Sequence, residues 1–525
     1  VVQAVPAPDS LVAELTAALG AEHVVTDDAV RRLSSQDVYR SGQLPLAVAR
    51  PGSTAEISAV LAAASAAGIA VFIRGGGMSY TDAFLPDRDR AIILDMSRMT
   101  AVRDINATDL YATVEAGCTW AALDEALKPH GVRAVFWGPM SGGTSTVGGA
   151  MAQGAVTFGS GRHGPSGANA LSFEVVLADG RIVNTGSNAQ ARRAPFFRNY
   201  GPDVTGLFAH DAGALGVKTA ITLQLEPRPG YGDGLSFACA DFDNLVAAIQ
   251  AVAQRGLATE VFGAETELIR WVVGDSTWRQ DLKAAWAVAR SSHNRLAGAY
   301  RVGRMALAGR RFLSDAKYKV NFLTEAADSR QLALALRDIR KAVGGRGQEI
   351  VNTMAAVTRA MPFPDPMVLG PGGRRLLPLH TVVPWSAARD LHQGFRALLE
   401  QEDKTLAAND IQVYLVYSTS GLSGFLYECV IYWRDEWLDL HRHTLPDEIL
   451  THMQESEPRP AAREAVEDLR LKIIDVMDAH GGIHFQIGRW YPYTRDRDET
   501  FLKLLRELKS QVDPKGILNP GALGL

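Results

Sequence analysis

Two stretches rich in glycine and hydroxyl groups, and a few histidines, carboxylates and arginines in apolar surroundings, carry the chemistry this sequence can offer. The first stretch runs Val71-Phe72-Ile73-Arg74-Gly75-Gly76-Gly77-Met78-Ser79-Tyr80. Glycine permits positive φ and puts no side chain in the way, so backbone N–H groups can converge on an anion. Ser79 and Tyr80 add donors. The set reads as a pyrophosphate clamp, with a tight strand-to-loop turn as the plainer alternative. The second stretch runs from Gly138 to Gly164 and holds Pro139, Ser141, Ser145, Thr146, Gly148, Gly149, Gly154 and Ser160. A linker would also be small and polar, but it would lack the interspersed Val, Met and Phe. The pattern predicts backbone lying flat against a large planar ligand.

Candidate acid–base groups come later in the chain. His380 lies in the apolar run Leu376 to Val383, and His480 and His484 precede Arg489. A histidine can take an alcohol proton, or be a hydrogen-bonded structural residue. Glu428 sits between Tyr427 and Cys429, ahead of Val430-Ile431-Tyr432-Trp433. Facing inward, its carboxyl would have a raised pKa and could act as a base; facing outward, it would be solvated. Arg489, between Ile487 and Trp490, could stabilise a phenolate, a carboxylate or a reduced cofactor. Tyr417, Tyr491 and Tyr493 could line an aromatic pocket or pack in a core. His441-Arg442-His443, beside Asp439, reads as a solvated charge cluster on a loop.

The elements that must position these groups follow from periodicity and caps. Asp9 or Ser10 starts one or two helices within 9–40. Thr54 opens an alanine-rich helix that Gly68 closes after Ala67. Strands are predicted at 47–50, 71–74, 91–95 and 111–117. Thr119 caps a helix through Lys128. Phe173–Ala178 and Arg181–Val183 flank an Asp-Gly turn and form a hairpin. Pro227 and Pro229 mark a boundary. Beyond it, helices at 243–255, 279–290, 330–343 and 386–401 alternate with strands at 235–239, 376–383, 411–418 and 425–433. Helices at 460–478 and 501–512 close the chain. The expected division is therefore 1–228, 229–460 and 461–525.

At 525 residues the chain is too long for one hydrophobic core. Its 47% apolar and 21% charged residues suit a globular enzyme, and a net charge of −4 gives no nucleic-acid footprint. Cys118, Cys239 and Cys429 lie far apart, which excludes a disulfide framework and clustered zinc thiolates and points to a reducing compartment. No apolar run approaches the roughly 18 residues of a membrane span. Residues 1–10 lack a signal-peptide pattern. The expectation is cytoplasmic, or periplasmic if a leader has been removed.

Four pieces, in order, carry a family resemblance. They are Arg74 to Tyr80, Ser145-Thr146-Val147-Gly148-Gly149, Gly213-Ala214-Leu215-Gly216-Val217, and Asp513-Pro514-Lys515-Gly516-Ile517-Leu518-Asn519-Pro520-Gly521. Over residues 40–525 the chain resembles the vanillyl-alcohol oxidase and p-cresol methylhydroxylase (PCMH) superfamily, which includes FAD-linked D-lactate dehydrogenases. The resemblance implies an α+β, two-lobed fold, with a PCMH-type FAD-binding domain from both chain ends and an α/β substrate cap. It places Gly216, Val217 and Asn519 at the FAD and Arg489 and Tyr491 at the substrate. Met78 stands where many relatives carry a flavin-linking histidine, so FAD is expected to be noncovalent. Met140 replaces the aspartate of many phenol oxidases. Ala479-His480-Gly481 departs from the Glu-His-Gly of metal-dependent relatives, so no metal is expected. The implied activity is oxidation of an aromatic alcohol, a phenol or a 2-hydroxy acid by hydride transfer to the flavin, with oxygen, a quinone or a cytochrome as acceptor and a homodimer as a further possibility. A noncatalytic flavin-binding protein with a degenerate site is the alternative.

Overall fold

The computed structural model describes residues 8–274, 278–291, 295–308 and 316–525. The opening residues read for a leader lie largely outside them. Among the described residues the named strands form three sheets. The first joins Val24–Val25, Ala47–Ala49, Ala91–Asp95 and Ala70–Arg74, the last three in parallel register. Parallel strands buried on both faces read as continuous apolar runs, and Val71, Phe72, Ile92 and Ile93 are fully buried. The helix Thr54–Ala67 crosses between Ala47–Ala49 and Ala70–Arg74, with Ser53 as N-cap and Gly68 left-handed at its end.

The second sheet is antiparallel and centres on the long strand Val217–Pro227, flanked by Tyr111–Glu115 and Ala170–Val176. The expected hairpin is present, with Ala170–Val176 pairing Ile182–Asn184. Pro227 ends the last strand of this sheet, and Tyr231–Cys239 begins the third. That sheet has seven antiparallel strands, in the order Gln348–Ile350, Tyr231–Cys239, Tyr318–Ala326, Glu260–Glu265, Gln412–Ser420, Gly424–Trp433, Arg375–Pro384. The alternation of helices and strands in this region thus builds an antiparallel layer. Two of its strands, Glu260–Glu265 and Tyr318–Ala326, carry Glu260, Lys319 and Asn321 inward and lack a clean apolar run.

The chain then returns. Helix Pro460–Ala479 packs its Val466, Leu469, Ile473 and Met477 into the core of the third sheet. Ile517 and Leu518 join the core of the first two sheets instead. Leu518 bridges Val71 in parallel, and Asn519 N–H donates to Val71 O at 2.9 Å. The Asn519 side chain accepts from Ile73 N–H (3.0 Å) and donates to Ala212 O (2.7 Å), in a left-handed backbone (φ 37°) that asparagine tolerates better than most residues. Asn519→Ala should therefore lower unfolding stability by about 2–3 kcal/mol through two lost buried hydrogen bonds. Urea denaturation checks this, and a change under about 0.5 kcal/mol would refute it.

Candidate functional site

The two glycine–hydroxyl segments touch. A Cβ on Gly75 would stand 2.5 Å from Thr146 Oγ1, and one on Gly76 would overlap the Thr144 carbonyl oxygen. Gly77 adopts φ 75°. The second segment is not flat throughout: after the turn at 139–145 it forms the helix Val147–Gln153, capped by Thr146, whose hydroxyl accepts from Gly149 N–H at 3.2 Å. Small residues let this helix press on the neighbouring sheet, since a Cβ on Gly148 would stand 2.6 Å from the Ala116 methyl.

Above this contact lies a cavity of about 830 Å³. Of the candidates, Gly75, Gly76, Gly77, Met78, Ser79, Tyr80, Pro139, Ser141, Ser145, Thr146, Gly148, Gly149, Gly216, Val217 and Asn519 line it. Four candidates do not. The Arg74 guanidinium turns beneath Gly77 and over the Phe84 ring (5.8 Å), where burial lowers its pKa. Gly154 ends the helix Val147–Gln153 against the His210 ring. The Ser160 hydroxyl donates to Thr157 O (2.8 Å), and Gly164 terminates the short helix Ser160–His163.

Sequence reasoning passed over Gln153, Lys218 and Gln486, which also line the cavity. Gln153 Oε1 is buried without a hydrogen-bond partner among the described residues. A long polar side chain amid small residues was the available signal. Lys218 forms a buried ion pair with Asp211 (2.6 Å), and Asp211 also accepts from Gly213 and Leu215 N–H. That shapes the Gly213–Val217 turn.

The acid–base candidates divide. His380 and Glu428 are directly opposite each other on adjacent strands, and both line the cavity. His380 Nε2 lies 3.0 Å from Tyr80 Oη, so a residue of the glycine loop meets the third sheet here. On its other side Tyr491 Oη accepts the His380 amide (3.0 Å) and lies 3.4 Å from Nδ1. The Phe485 ring stacks on the imidazole at 3.9 Å. In the tautomer whose Nδ1 accepts the Tyr491 hydrogen and whose Nε2–H donates to Tyr80, the Tyr80 hydrogen is left for the cavity. Burial pushes the His380 pKa down to about 3, so the ring is neutral near pH 7. Burial pushes the Glu428 carboxyl up to about 7 and the Tyr80 phenol well above its usual value.

Arg489, His480 and Tyr491 do not line the cavity. Arg489 pairs with Asp87 (3.0 Å) and donates to the carbonyls of Asp82 (3.0 Å) and Leu85, over the Phe72 ring. It holds the loop after Tyr80 and does not line the cavity. His480 ends the helix Pro460–Ala479, with Nδ1 donating to Val476 O at 2.7 Å. Tyr491 is buried behind His380, and His484 stacks on it while bonding Asp478 (2.7 Å). Tyr417 donates to Lys319 O, its ring edging the cavity. His441 is buried on the helix Asp439–Thr444, not on a solvated loop, and bonds Val38 O at 3.0 Å. Among the described residues no three His, Cys, Asp or Glu side chains are arranged to hold a metal.

Comparison with known families decides the cofactor. A model described as FAD binding domain matches residues 45–186, and one described as FAD linked oxidases, C-terminal domain, matches 450–523. Residues 45–186 thus match an FAD-binding domain and residues 450–523 the C-terminal domain of FAD linked oxidases. The glycine contact, the hydroxyl lining and the orphaned Gln153 oxygen fit such a group. An uncharacterized FAD-linked oxidoreductase of Mycobacterium tuberculosis is 28% identical over 254 residues, 48% of this chain and 53% of that protein. A D-lactate dehydrogenase of Archaeoglobus fulgidus is 32% identical over 37% of this chain and 43% of its own. The chain spans about half the length of the curated relatives it matches. The solved p-cresol methylhydroxylase with substrate bound superposes with TM-score 0.73 at 16% identity, covering 98% of this chain and 96% of that one. A 4-ethylphenol oxidase from Gulosibacter chungangensis gives 0.71 at 18%, covering 99% and 98%. The expected fold and the resemblance both hold.

With its guanidinium engaged on Asp87 and two carbonyls, Arg489→Ala should cost about 1–2 kcal/mol of stability. The rate of flavin reduction should stay within about threefold, since the side chain is off the cavity. Thermal unfolding and stopped-flow absorbance read the two, and a loss of about a hundredfold or more in rate with unchanged stability would reverse the placement.

Proposed function

We propose that the protein is an FAD-dependent oxidoreductase that dehydrogenates an alcohol-type small molecule, with its substrate held between Tyr80, His380 and Glu428. The observation that carries this is the Tyr80–His380–Tyr491 chain of hydrogen bonds, which opens into the same cavity as the two glycine segments and sits beside a carboxyl with a raised pKa. Gly75–Ser79, Pro139, Ser141, Ser145, Thr146, Gly148, Gly149, Gly216 and Gln153, which line the cavity, would hold FAD, and bound FAD would supply the hydride acceptor.

The chain's own residues divide the remaining work. The Tyr80 hydroxyl orients the substrate oxygen, and neutral His380 fixes the direction in which that hydroxyl points. His380 is too weak a base, at a pKa of about 3, to keep a substrate proton. Glu428 is matched to that task, because a base near the working pH gains most from general catalysis. The Glu428 carboxylate would take the hydroxyl proton of the substrate, and bound FAD would accept the hydride, so that a carbonyl product would remain.

The lining supports an aromatic alcohol or phenol over a 2-hydroxy acid. Leu268, Leu376, Val416, Leu426, Val430 and Tyr432 form much of the wall under the third sheet. Arg489 is engaged elsewhere, and the lining lysines 218 and 283 pair with Asp211 and Asp365. D-lactate dehydrogenase and glycolate oxidase relatives keep hydroxy acids as the comparison substrates to run. We extend the proposal to two lobes, 1–228 with the returning chain end and 229–460.

Glu428 must be ionised to accept a proton, so the rate of flavin reduction under anaerobic mixing should rise with pH up to about 7 and then level. Glu428→Gln should remove that step and lower the plateau by about 10²–10⁴-fold. The folded pKa is raised above the unfolded value, so this group's stability contribution is full below the unfolded pKa and lost as pH rises through about 7. The Gln variant should therefore gain stability over the parent at pH 8–9 and not at acid pH. A pH–rate profile unchanged by the substitution would remove Glu428 from the mechanism. Acid precipitation should move the yellow colour to the supernatant, because the Met78 thioether forms no flavin bond; colour retained in the pellet would contradict it.

A further inference from the structure

The helices Trp278–Arg290 and Arg295–Ala308 differ from the rest of the surface. They pack closely on each other, since a Cβ on Gly298 would stand 2.5 Å from the Ala289 carbonyl. Yet Leu282, Trp286, Leu296, Tyr300 and Leu307 are 59–84% exposed. Single exposed apolar residues need no explanation, but five on two adjoining helices do. Leu282 and Trp286 are four apart, as are Leu296 and Tyr300, so each pair shares one helix face. Each aromatic carries an arginine four residues on. The Arg290 guanidinium lies 5.0 Å from the Trp286 ring centre and that of Arg304 lies 5.9 Å from Tyr300. Residues 278–308 contain six Arg or Lys and one Asp, in a chain whose net charge is −4. Of these, Lys283 pairs with Asp365 and Arg301 with Asp233, while Arg290 and Arg304 stay on the exposed side.

We propose that this helix pair docks on an anionic lipid surface, Trp286, Tyr300 and the leucines entering the headgroup layer and Arg290 and Arg304 meeting lipid phosphates. Basic faces with interspersed Trp, Tyr and Leu are the composition of helices that lie in the plane of a membrane interface. At 13 and 14 residues these helices are too short to span a bilayer, and no described helix is long and apolar enough to do so. The inner side of the first helix gives the placement a consequence. Gln280, Asp281, Lys283 and Ala284 line the cavity, so docking would set that part of its wall beside the lipid. Apolar molecules dissolved in the bilayer would then enter without crossing water.

The test is sedimentation of the FAD-loaded protein with vesicles, which needs no turnover and is therefore independent of the proposed reaction. Vesicles of phosphatidylcholine containing about one-third phosphatidylglycerol should carry the protein down at low salt, with about tenfold or more weaker binding to phosphatidylcholine alone. Raising salt to about 0.5 M should release it, because the attraction is screened. Arg290→Glu with Arg304→Glu, and separately Trp286→Ser with Tyr300→Ser, should each weaken binding about tenfold or more. Both variants should keep the flavin spectrum and the unfolding temperature. No binding to the anionic vesicles, equal binding to both compositions, or binding untouched by either double variant would overturn the proposal. So would sedimentation velocity showing a dimer that the same substitutions dissociate, which would assign the face to a second copy of the chain.

Discussion

The structure depends on a close approach of two backbones. Gly76 lies against the Thr144 carbonyl with no room for a methyl group, and Gly75 meets the Thr146 hydroxyl in the same way. Side chains at these positions would separate the strand Ala70–Arg74 from the helix Val147–Gln153, and with them the two walls of the cavity floor. The third contributor is the chain end. Asn519 ties Ile73 to Ala212, and Lys509, buried, donates to the carbonyls of Ala214 (2.7 Å) and Leu518 (3.0 Å) while pairing with Asp513 (2.6 Å). Three segments far apart along the chain are therefore locked at one point, each satisfying polar groups the others leave open.

From that floor the loop must rise to meet the third sheet, and a second set of contacts holds it there. Val38 N–H donates to Ser79 O (2.9 Å), and His441 in turn bonds Val38 O. Arg470, with no exposed surface, donates to Tyr80 O at 3.0 Å. Its guanidinium lies 3.2 Å from the Trp490 ring centre and 4.8 Å from Tyr39, with Glu467 3.9 Å from Nη1, while among the described residues Nε and Nη1 have no hydrogen-bond partner. Burying a charge so poorly bonded is costly, and aromatic faces on either side offset part of it. The effect is to fix Tyr80 from behind while its hydroxyl reaches His380 in front. A loop that reads in the sequence as a phosphate clamp is thus also a link between the first sheet and the third.

The cavity floor was legible in the sequence because close backbone approach demands glycine, and glycine clusters are visible in one dimension. Fifteen of nineteen residues expected at the cofactor do line the cavity. The four that do not are Arg74, Gly154, Ser160 and Gly164, and each is held off the cavity by cap or packing geometry that composition does not encode. The third sheet was half legible. Strands such as Arg375–Pro384 announce themselves by apolar runs, whereas Glu260–Glu265 buries two glutamates and reads as polar. Arg489 lies off the cavity for a physical reason: apolar neighbours argue for burial, but they cannot say whether a buried guanidinium faces a cavity or the loop next to it. The hydrogen bonds to Asp82 and Leu85 come from residues some four hundred positions away. Tyr491 was near the right place but one layer back, behind His380.

The electrostatics of the cavity give the acid–base assignment its direction. A carboxylate enclosed by Val416, Leu426 and Val430 gains by becoming neutral, which is what the upward shift of Glu428 expresses. Accepting a proton there removes a buried charge, so the transfer is favoured by the surroundings and not only by the partner. An anionic substrate would reverse this, because its charge would stand beside Glu428 with both lining lysines already paired. A neutral substrate oxygen, oriented by Tyr80, adds no charge before the reaction and leaves none on the wall after it. Tyr80 can serve in that way only while its phenol stays protonated. The same burial that weakens His380 as a base also holds the Tyr80 hydrogen in place. One apolar enclosure thereby sets three protonation states at once: a neutral imidazole, a protonated phenol and a carboxyl poised near pH 7.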